Sequence, residues 1–91
     1  MAAQKSKFLL ITTTDCDPEH ADEFNDWYNN THVPDVMACP GFISSRRYEA
    51  VYGEPRFIAI YEIEGENALK TPELQKIRGF GEMFPYVRNF H

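Results

Sequence analysis

The amino-acid sequence predicts an α+β fold in which two main helices cover a four-stranded antiparallel sheet. Three observations lead to this class. Strand-like and helix-like segments follow one another in the order β-α-β-β-α-β, which is the split βαβ arrangement. Each helical segment opens with a proline at its first position, at Pro18 and at Pro72. The chain has 91 residues, of which 43% are hydrophobic, so we expect one folded domain over residues 1–91.

The first strand and the first helix occupy the first third of the chain. The run KFLLITTT, residues 7–14, is apolar and β-branched with little helical periodicity, which is typical of a strand. Asp17 is predicted to cap a helix over residues 18–31. One face of that helix is apolar, because apolar side chains recur at helical spacing at Ala21, Phe24 and Tyr28.

This helix is predicted to break at His32. Val33 precedes Pro34, and a residue before proline is pushed away from helical angles. A short second piece is expected over residues 34–38, before the turn at Pro40-Gly41. An imidazole at such a break is free of the regular helical ladder, so we interpret His32 as a side chain that can project into a pocket.

The remaining sequence predicts a hairpin, a helix and a last strand. Residues 42–52 and 56–64 are predicted strands, joined by the turn Gly53-Glu54-Pro55. Thr71 is predicted to cap the second helix, and residues 85–90 to form a short final strand. The inner face of that helix is predicted at Leu74, Ile77 and Phe80, and its end at Gly79 and Gly81.

Strands one and three carry large apolar side chains on both faces. Helices can cover only one face of a four-stranded antiparallel sheet, and the other face should be polar in a monomer. We therefore expect the second face to pack on the same face of another copy, which gives a homodimer with two-fold symmetry.

Charge and composition exclude several classes of function. Nine Lys and Arg against fourteen Asp and Glu give a net charge of -5, which disfavours nucleic-acid binding because that depends on clustered cations. No apolar run approaches the ~20 residues of a membrane span, and the first residues lack the apolar region of a signal peptide. Cys16 and Cys39 lie in no CxxC pattern, which favours free thiols in a cytoplasmic protein over a disulfide.

Neither a metal nor another cofactor is predicted. His20, His32 and His91 lie far apart in the sequence and show no HxxxH or HxH spacing. The chain has no GxGxxG or GxxxxGK phosphate loop and no GxSxG nucleophile motif. Nucleophilic hydrolysis is therefore disfavoured.

His32 is the leading candidate for a catalytic residue. An unperturbed imidazole titrates near pH 6.5, so it can act as an acid or a base at neutral pH. The alternative is that the ring only caps nearby carbonyl groups or bonds to Asp35. The neighbouring rings are predicted to line a substrate cavity, with simple core packing as their alternative: Phe24, Trp27 and Tyr28.

Two tyrosines and one arginine are the candidates for assisting His32. Tyr48 and Tyr61 lie on predicted central strands, where either phenol can reach a substrate or serve as a structural hydrogen-bonding group. Arg46 and Arg47 point to opposite faces of the sheet, so one of them approaches a buried face. We favour Arg47 as a clamp for a substrate oxygen, and its alternative is a structural pair with a carboxylate such as Glu49, Glu62 or Asp35.

Three segments resemble the dimeric α+β barrel superfamily and, within it, EthD-like small proteins. They are the helix ending in WYNNTHVPDVMACPGF, the strand SSRRYEA and the strand PRFIAIYEIEG. The resemblance implies a ferredoxin-like sheet-and-helix fold that pairs into a barrel. It also implies a cleft between sheet and helices, reached by a histidine of the first helical segment, a position that His32 fits in its H-x-P motif.

These observations predict a small homodimeric, cofactor-free enzyme that acts on an apolar or aromatic carbonyl or lactone compound. The reaction would be an isomerisation, a cyclisation or a lyase cleavage, with His32 moving the proton and Tyr61 or Arg47 steadying the oxyanion. Two alternatives stay open at this point. One is cofactor-independent oxygenation of a phenol, and the other is a non-catalytic protein that binds a hydrophobic ligand.

Overall fold

The computed structural model describes residues 8–91 and has the predicted α+β architecture. Its sheet contains β1 (Phe8–Cys16), β2 (Phe42–Glu49), β3 (Phe57–Ile63) and β4 (Val87–Arg88). The strands lie in the order β2-β3-β1-β4, and every neighbouring pair is antiparallel. The predicted α+β fold class and the predicted order of strands and helices along the chain are therefore confirmed. Lys7, predicted to start the first strand, lies outside the described residues.

The helical layer begins with a 3-10 turn, Pro18–His20, and continues through α1 (Ala21–Trp27). A π-helical turn, Tyr28–His32, joins α1 to α2 (Val33–Met37). The predicted break at His32 is thus wrong.

Val33 keeps helical angles, φ -61° and ψ -47°, although a proline follows it. Its backbone N–H donates to the carbonyl of Tyr28, five residues earlier. An α-helical proline would clash with the carbonyl four residues before it. We attribute the unbroken helix to the π turn, because its longer hydrogen bonds leave room for the ring of Pro34.

The helix starts differ from one another in their capping. Asp17, the predicted N-cap, makes no capping bond, because its Oδ1 accepts a 2.6 Å hydrogen bond from Nε of Arg88. Thr71 caps α3 (Pro72–Ile77) as predicted, since its hydroxyl accepts from the backbone N–H of Leu74 at 3.2 Å. Two further 3-10 segments flank α3 in the chain, at Glu66–Lys70 and Gly81–Tyr86.

The register of the sheet decides which side chains face the helices. In β3 the residues at alternate positions are buried against the helical layer: Phe57, Ala59, Tyr61 and Ile63. Arg47 pairs with Ala59 and Tyr48 pairs with Ile58. Arg47 therefore lies on the helix side of the sheet, whereas Arg46 and Tyr48 lie on the open side.

The core fills the space between this face of the sheet and the helices, and Phe24 is its centre. Its side chain is fully buried, with ring centroids 5.1 Å from Phe57 and 5.4 Å from Tyr28. The open side of the sheet carries apolar side chains that are half exposed, including Leu9, Ile11 and Tyr48. This agrees with the two-faced apolar pattern in the sequence.

The edge where β4 meets β1 contains a β-bulge. Arg88 pairs with Asp15, and the next backbone pair joins His91 to Thr13 through bonds of 2.8 and 3.1 Å. Two residues, Asn89 and Phe90, therefore stand opposite one, Thr14. Asn89 has a φ of 52°, the left-handed conformation that bulges of this kind use. The extra residue turns the end of the chain toward the helices.

Candidate active site

A cavity of about 740 Å³ lies between the sheet, the π turn with α2, and the final segment of the chain. Its size falls within the range of small-molecule sites. The sheet contributes Leu10, Thr12 and Tyr61 to its wall. The π turn contributes Tyr28 and His32, and α2 contributes Val36. The remaining wall comes from α3, the residues after it and the bulged segment around β4.

His32 is held at this cavity by two aromatic rings. Its imidazole stacks on the indole of Trp27, with centroids 4.9 Å apart and planes at 16°. It also meets the edge of Tyr28 at 5.0 Å and 80°. Burial lowers the pKa of the imidazole; the carboxylate of Asp35 works against that shift and the charge of Arg47 adds to it. His32 is therefore neutral at pH 7, as a general base must be.

Tyr61 lines the same cavity, and its hydroxyl is buried. Only 2% of the residue is exposed, and no hydrogen-bond partner reaches its hydroxyl within residues 8–91. Burial is the main cause that raises its pKa, and the phenol of Tyr28 adds to it, although the two hydroxyls do not meet in hydrogen-bond geometry. The group stays protonated over the physiological range, so it is an unused donor beside the cavity.

Tyr28 separates the cavity from Arg47. The guanidinium carbon lies 4.2 Å from the ring centroid of Tyr28 and 5.6 Å from that of Phe24. Nη1 of Arg47 donates to Oδ1 of Asn29 at 3.0 Å, and its Nε is buried without a hydrogen-bond partner in the described chain. Arg47 thus turns to the predicted face, but it lies behind the cavity wall and bonds to an amide instead of a carboxylate.

The other predicted substrate-binding residues are placed around the cavity rather than on it. Trp27 supports His32 from outside, and Phe24 belongs to the core. Tyr48 lies on the opposite face of the sheet. The structure therefore brings together His32, Tyr61 and Tyr28 at the cavity, and it keeps Arg47, Trp27, Phe24 and Tyr48 away from its surface.

Sequence reasoning missed the wall formed by the end of the chain. This wall includes Arg78, Arg88 and Asn89 together with the rings of Phe84 and Phe90. The sequence contains more large aromatic rings than a small core can bury, and this excess was the one available indication that further rings line a cavity. It did not say which rings would be involved, because the bulge that turns this segment inward is formed by long-range pairing.

Other reactive groups in the described chain offer no competing centre. Cys16 and Cys39 are free and buried, and burial raises the pKa of both thiols, which makes them poor nucleophiles. Within residues 8–91 no three His, Cys, Asp or Glu side chains are grouped to hold a metal ion. No helix in that range is long and apolar enough to cross a membrane.

The α+β fold of this chain is shared with a protein of known structure. The crystal structure of an ethyl tert-butyl ether D (EthD) family protein from Bacillus halodurans is similar over 94% of this chain and 97% of that one. The TM-score is 0.66 and the sequences are 16% identical. The resemblance seen in the sequence is therefore confirmed at the level of the fold.

The family of this chain follows from its sequence. The model of the family described as "Domain of unknown function (DUF4286)" matches residues 7–78. That span is well over half of the chain, so the protein belongs to this family. Comparison with curated proteins gives no match.

Proposed function

We propose that the protein is a small enzyme that performs acid–base chemistry on an apolar or aromatic carbonyl or lactone compound, without a cofactor. The reaction belongs to the isomerisation, cyclisation or lyase type. One observation carries the proposal: the same largely apolar cavity is lined by His32, whose imidazole is neutral, and by Tyr61, whose buried hydroxyl has no hydrogen-bond partner among residues 8–91. A base and a hydrogen-bond donor are the two groups that enolisation requires.

The proposed first step is removal of a proton from the carbon next to the substrate carbonyl. The proton moves to the ring nitrogen of His32, and the electron pair of the broken C–H bond moves through the new C=C bond to the carbonyl oxygen. Tyr61 donates a hydrogen bond to that oxygen as its negative charge develops. In the isomerisation of a substrate that carries a further C=C bond, the anion is a dienolate. The imidazolium then returns the proton to its far carbon while the electron pair moves back from the oxygen, which restores the carbonyl group and a neutral His32.

The surroundings of the two groups support this assignment. General acid–base help contributes ~10²–10⁴-fold to a rate, and one well-placed oxyanion donor contributes about 10²–10³-fold. Both effects are larger in an apolar site because water does not compete for the developing charge. Arg47 does not touch the substrate in this proposal. Its charge, behind Tyr28, favours the neutral form of His32 before the reaction and disfavours the imidazolium, so the charge hastens return of the proton to the substrate.

The proposed active form is a homodimer joined through the open side of the sheet. Leu9 and Ile11 of β1 are each more than half exposed there, at 55% and 52%. Burying such side chains against the same face of a second copy stabilises both chains. The cavity lies on the other side of the sheet, so dimer formation leaves it open to substrate.

The test is hydrogen exchange at carbon. The protein is incubated in deuterated water with a panel of aryl ketones and γ-lactones, and deuterium entering the position next to the carbonyl is followed by NMR. We expect one class of compound to exchange faster with the wild-type protein, and His32→Ala to slow that exchange by about 10²-fold or more.

The matched control is His20→Ala. The ring of His20 stacks on Tyr86 at 3.7 Å and bonds to Glu23, away from the cavity lining. Its replacement should leave exchange unchanged. Exchange within about twofold of wild type in His32→Ala would show that the mechanism is wrong. Oxygen uptake with a phenol would instead identify a monooxygenase, and ligand binding that survives His32→Ala without any turnover would identify a binding protein.

A further inference from the structure

The cavity lining is cationic, in contrast to the chain as a whole. Acidic side chains outnumber basic ones by fourteen to nine in the sequence. Among the described residues that line the cavity, however, Arg78 and Arg88 carry permanent charges and no Asp or Glu is present. Both arginines are exposed to solvent, so they can meet a charged group of a ligand in the cavity without the cost of burying a charge.

The two arginines differ in how far their charge is compensated. Nε of Arg88 lies 2.6 Å from a carboxylate oxygen of Asp17, so that pair is nearly neutral. Nη1 of Arg78 donates to the neutral amide oxygen of Gln75 at 3.1 Å. No carboxylate of the described chain lies within ion-pair distance of Arg78. Arg78 is therefore the uncompensated positive charge of the cavity.

Exposed aromatic rings line the same cavity as this charge. Phe84 and Phe90 line the cavity, yet they are 73% and 55% exposed. Phe90 also meets Phe80 edge to face at 5.0 Å. Apolar rings that a protein leaves open to water beside a cavity gain most when a flat apolar ligand covers them.

We propose that the cavity binds an organic anion with an aromatic or extended apolar body, whose carboxylate pairs with the guanidinium of Arg78. A planar guanidinium binds a carboxylate through two parallel hydrogen bonds, which fixes orientation as well as affinity. The inference rests on the proposed function and narrows its substrate class. The carbonyl or lactone compound on which His32 acts is an acid, and Arg78 determines that specificity by holding the acid group.

Two fluorescent probes with the same skeleton test this inference. 1-Anilinonaphthalene-8-sulfonate carries an anionic group, whereas N-phenyl-1-naphthylamine lacks it. Both are titrated against the purified wild-type protein and the Arg78→Gln variant. We expect Arg78→Gln to weaken binding of the sulfonate about tenfold, because a charge-assisted bond is lost, and to leave the neutral probe within about twofold. Added salt should weaken only the sulfonate, and only in the wild type.

The control is Lys76→Gln. Lys76 lies in the last turn of α3, two residues before Arg78 and outside the cavity lining, and its replacement removes the same charge. It should leave both probes unchanged. Equal weakening of the sulfonate in both variants would show a general field effect and overturn the role of Arg78.

Two further outcomes separate this inference from the proposed function. If the probes displace one another but Arg78→Gln binds the sulfonate as the wild type does, the anion partner is refuted and the acid–base chemistry of His32 is untouched. If neither probe binds the wild-type protein, no such apolar cavity exists in solution. Both proposals then fail.

Discussion

At the scale of single residues, the site depends on how the surroundings of two side chains shift their protonation. His32 has its pKa lowered and Tyr61 has its pKa raised, and burial is the main cause in each case. The same physical effect thus keeps both groups neutral at pH 7, one as an acceptor of protons and one as a donor of hydrogen bonds. Two groups with opposite tasks can therefore share one apolar cavity.

The lowered pKa of His32 predicts a dependence of stability on pH. The unfolded chain binds a proton at this imidazole near the ordinary pKa of about 6.5, whereas the folded chain binds it only at lower pH. The free energy of unfolding is therefore unaffected by this group above pH ~6.5. It decreases as the pH falls from the pKa of the unfolded chain to the lower pKa of the folded chain. Urea unfolding between pH 5 and 7.5 measures this.

The variant for that experiment is His32→Phe, which keeps a ring against Trp27 but cannot titrate. We expect its unfolding free energy to fall less steeply toward acid than that of the wild type. Identical pH profiles for the two proteins would show that the imidazole is not buried as the structure places it.

At the scale of elements, the π turn Tyr28–His32 sets the position of the candidate base. Tyr28, His32 and Val36 all face the cavity, at steps of four residues. Because the helix runs through Pro34 without a break, His32 is held by a continuous helix, by the stacked ring of Trp27 and by the edge contact with Tyr28. This is better suited to catalysis than a flexible break, since orientation does not have to be regained in each turnover.

The cap of α3 offers a prediction at the same scale. The hydroxyl of Thr71 satisfies the backbone N–H of Leu74, and loss of such a cap costs about 1 kcal/mol. Thr71→Ala should lower the unfolding free energy by about that amount, while Thr71→Ser, which keeps the hydroxyl, should stay close to wild type. Urea denaturation of the three proteins checks this; equal stabilities would mean that the cap contributes nothing.

At the scale of the whole molecule, the open side of the sheet predicts association. Light scattering at micromolar concentration should give about twice the chain mass of 10.6 kDa. Ile11→Arg, in the middle of the open side, should shift the mass toward that of the monomer. Val51→Arg is the matched control, because Val51 is fully exposed in a loop and should not affect the mass. A wild-type monomer would remove the argument from the two apolar faces.

Much of the fold was predictable because local signals and the fold agree. The order of elements, the cap at Thr71 and the burial of Tyr61 follow from turn residues, capping chemistry and a period of two in β3. The unbroken helix at Pro34 was not predictable from the local rule for prolines. In the structure a π turn before Pro34 lets the helix continue, and no pattern in the sequence predicts that turn.

The candidate site was less predictable than the fold, because it depends on pairing between distant segments. The side of the sheet that Tyr48 and Arg47 occupy is set by the register of β2 on β3, including an irregularity between Phe42 and Ser44. The part of the cavity wall that contains Phe90 depends on the bulge at Asn89, which exists only once β4 pairs with β1. No local pattern contains that information.

The phenol of Tyr61 has a consequence for ligand choice that does not involve catalysis. Its buried hydroxyl has no hydrogen-bond partner among residues 8–91, and such a group lowers the stability of the ligand-free protein by about 1–3 kcal/mol. A ligand with an oxygen atom that accepts a hydrogen bond from this hydroxyl removes the energetic cost. A hydrocarbon ligand of the same shape does not. Under the proposed function we therefore expect the protein to bind oxygenated molecules more tightly than all-carbon molecules of the same shape, before any bond is broken.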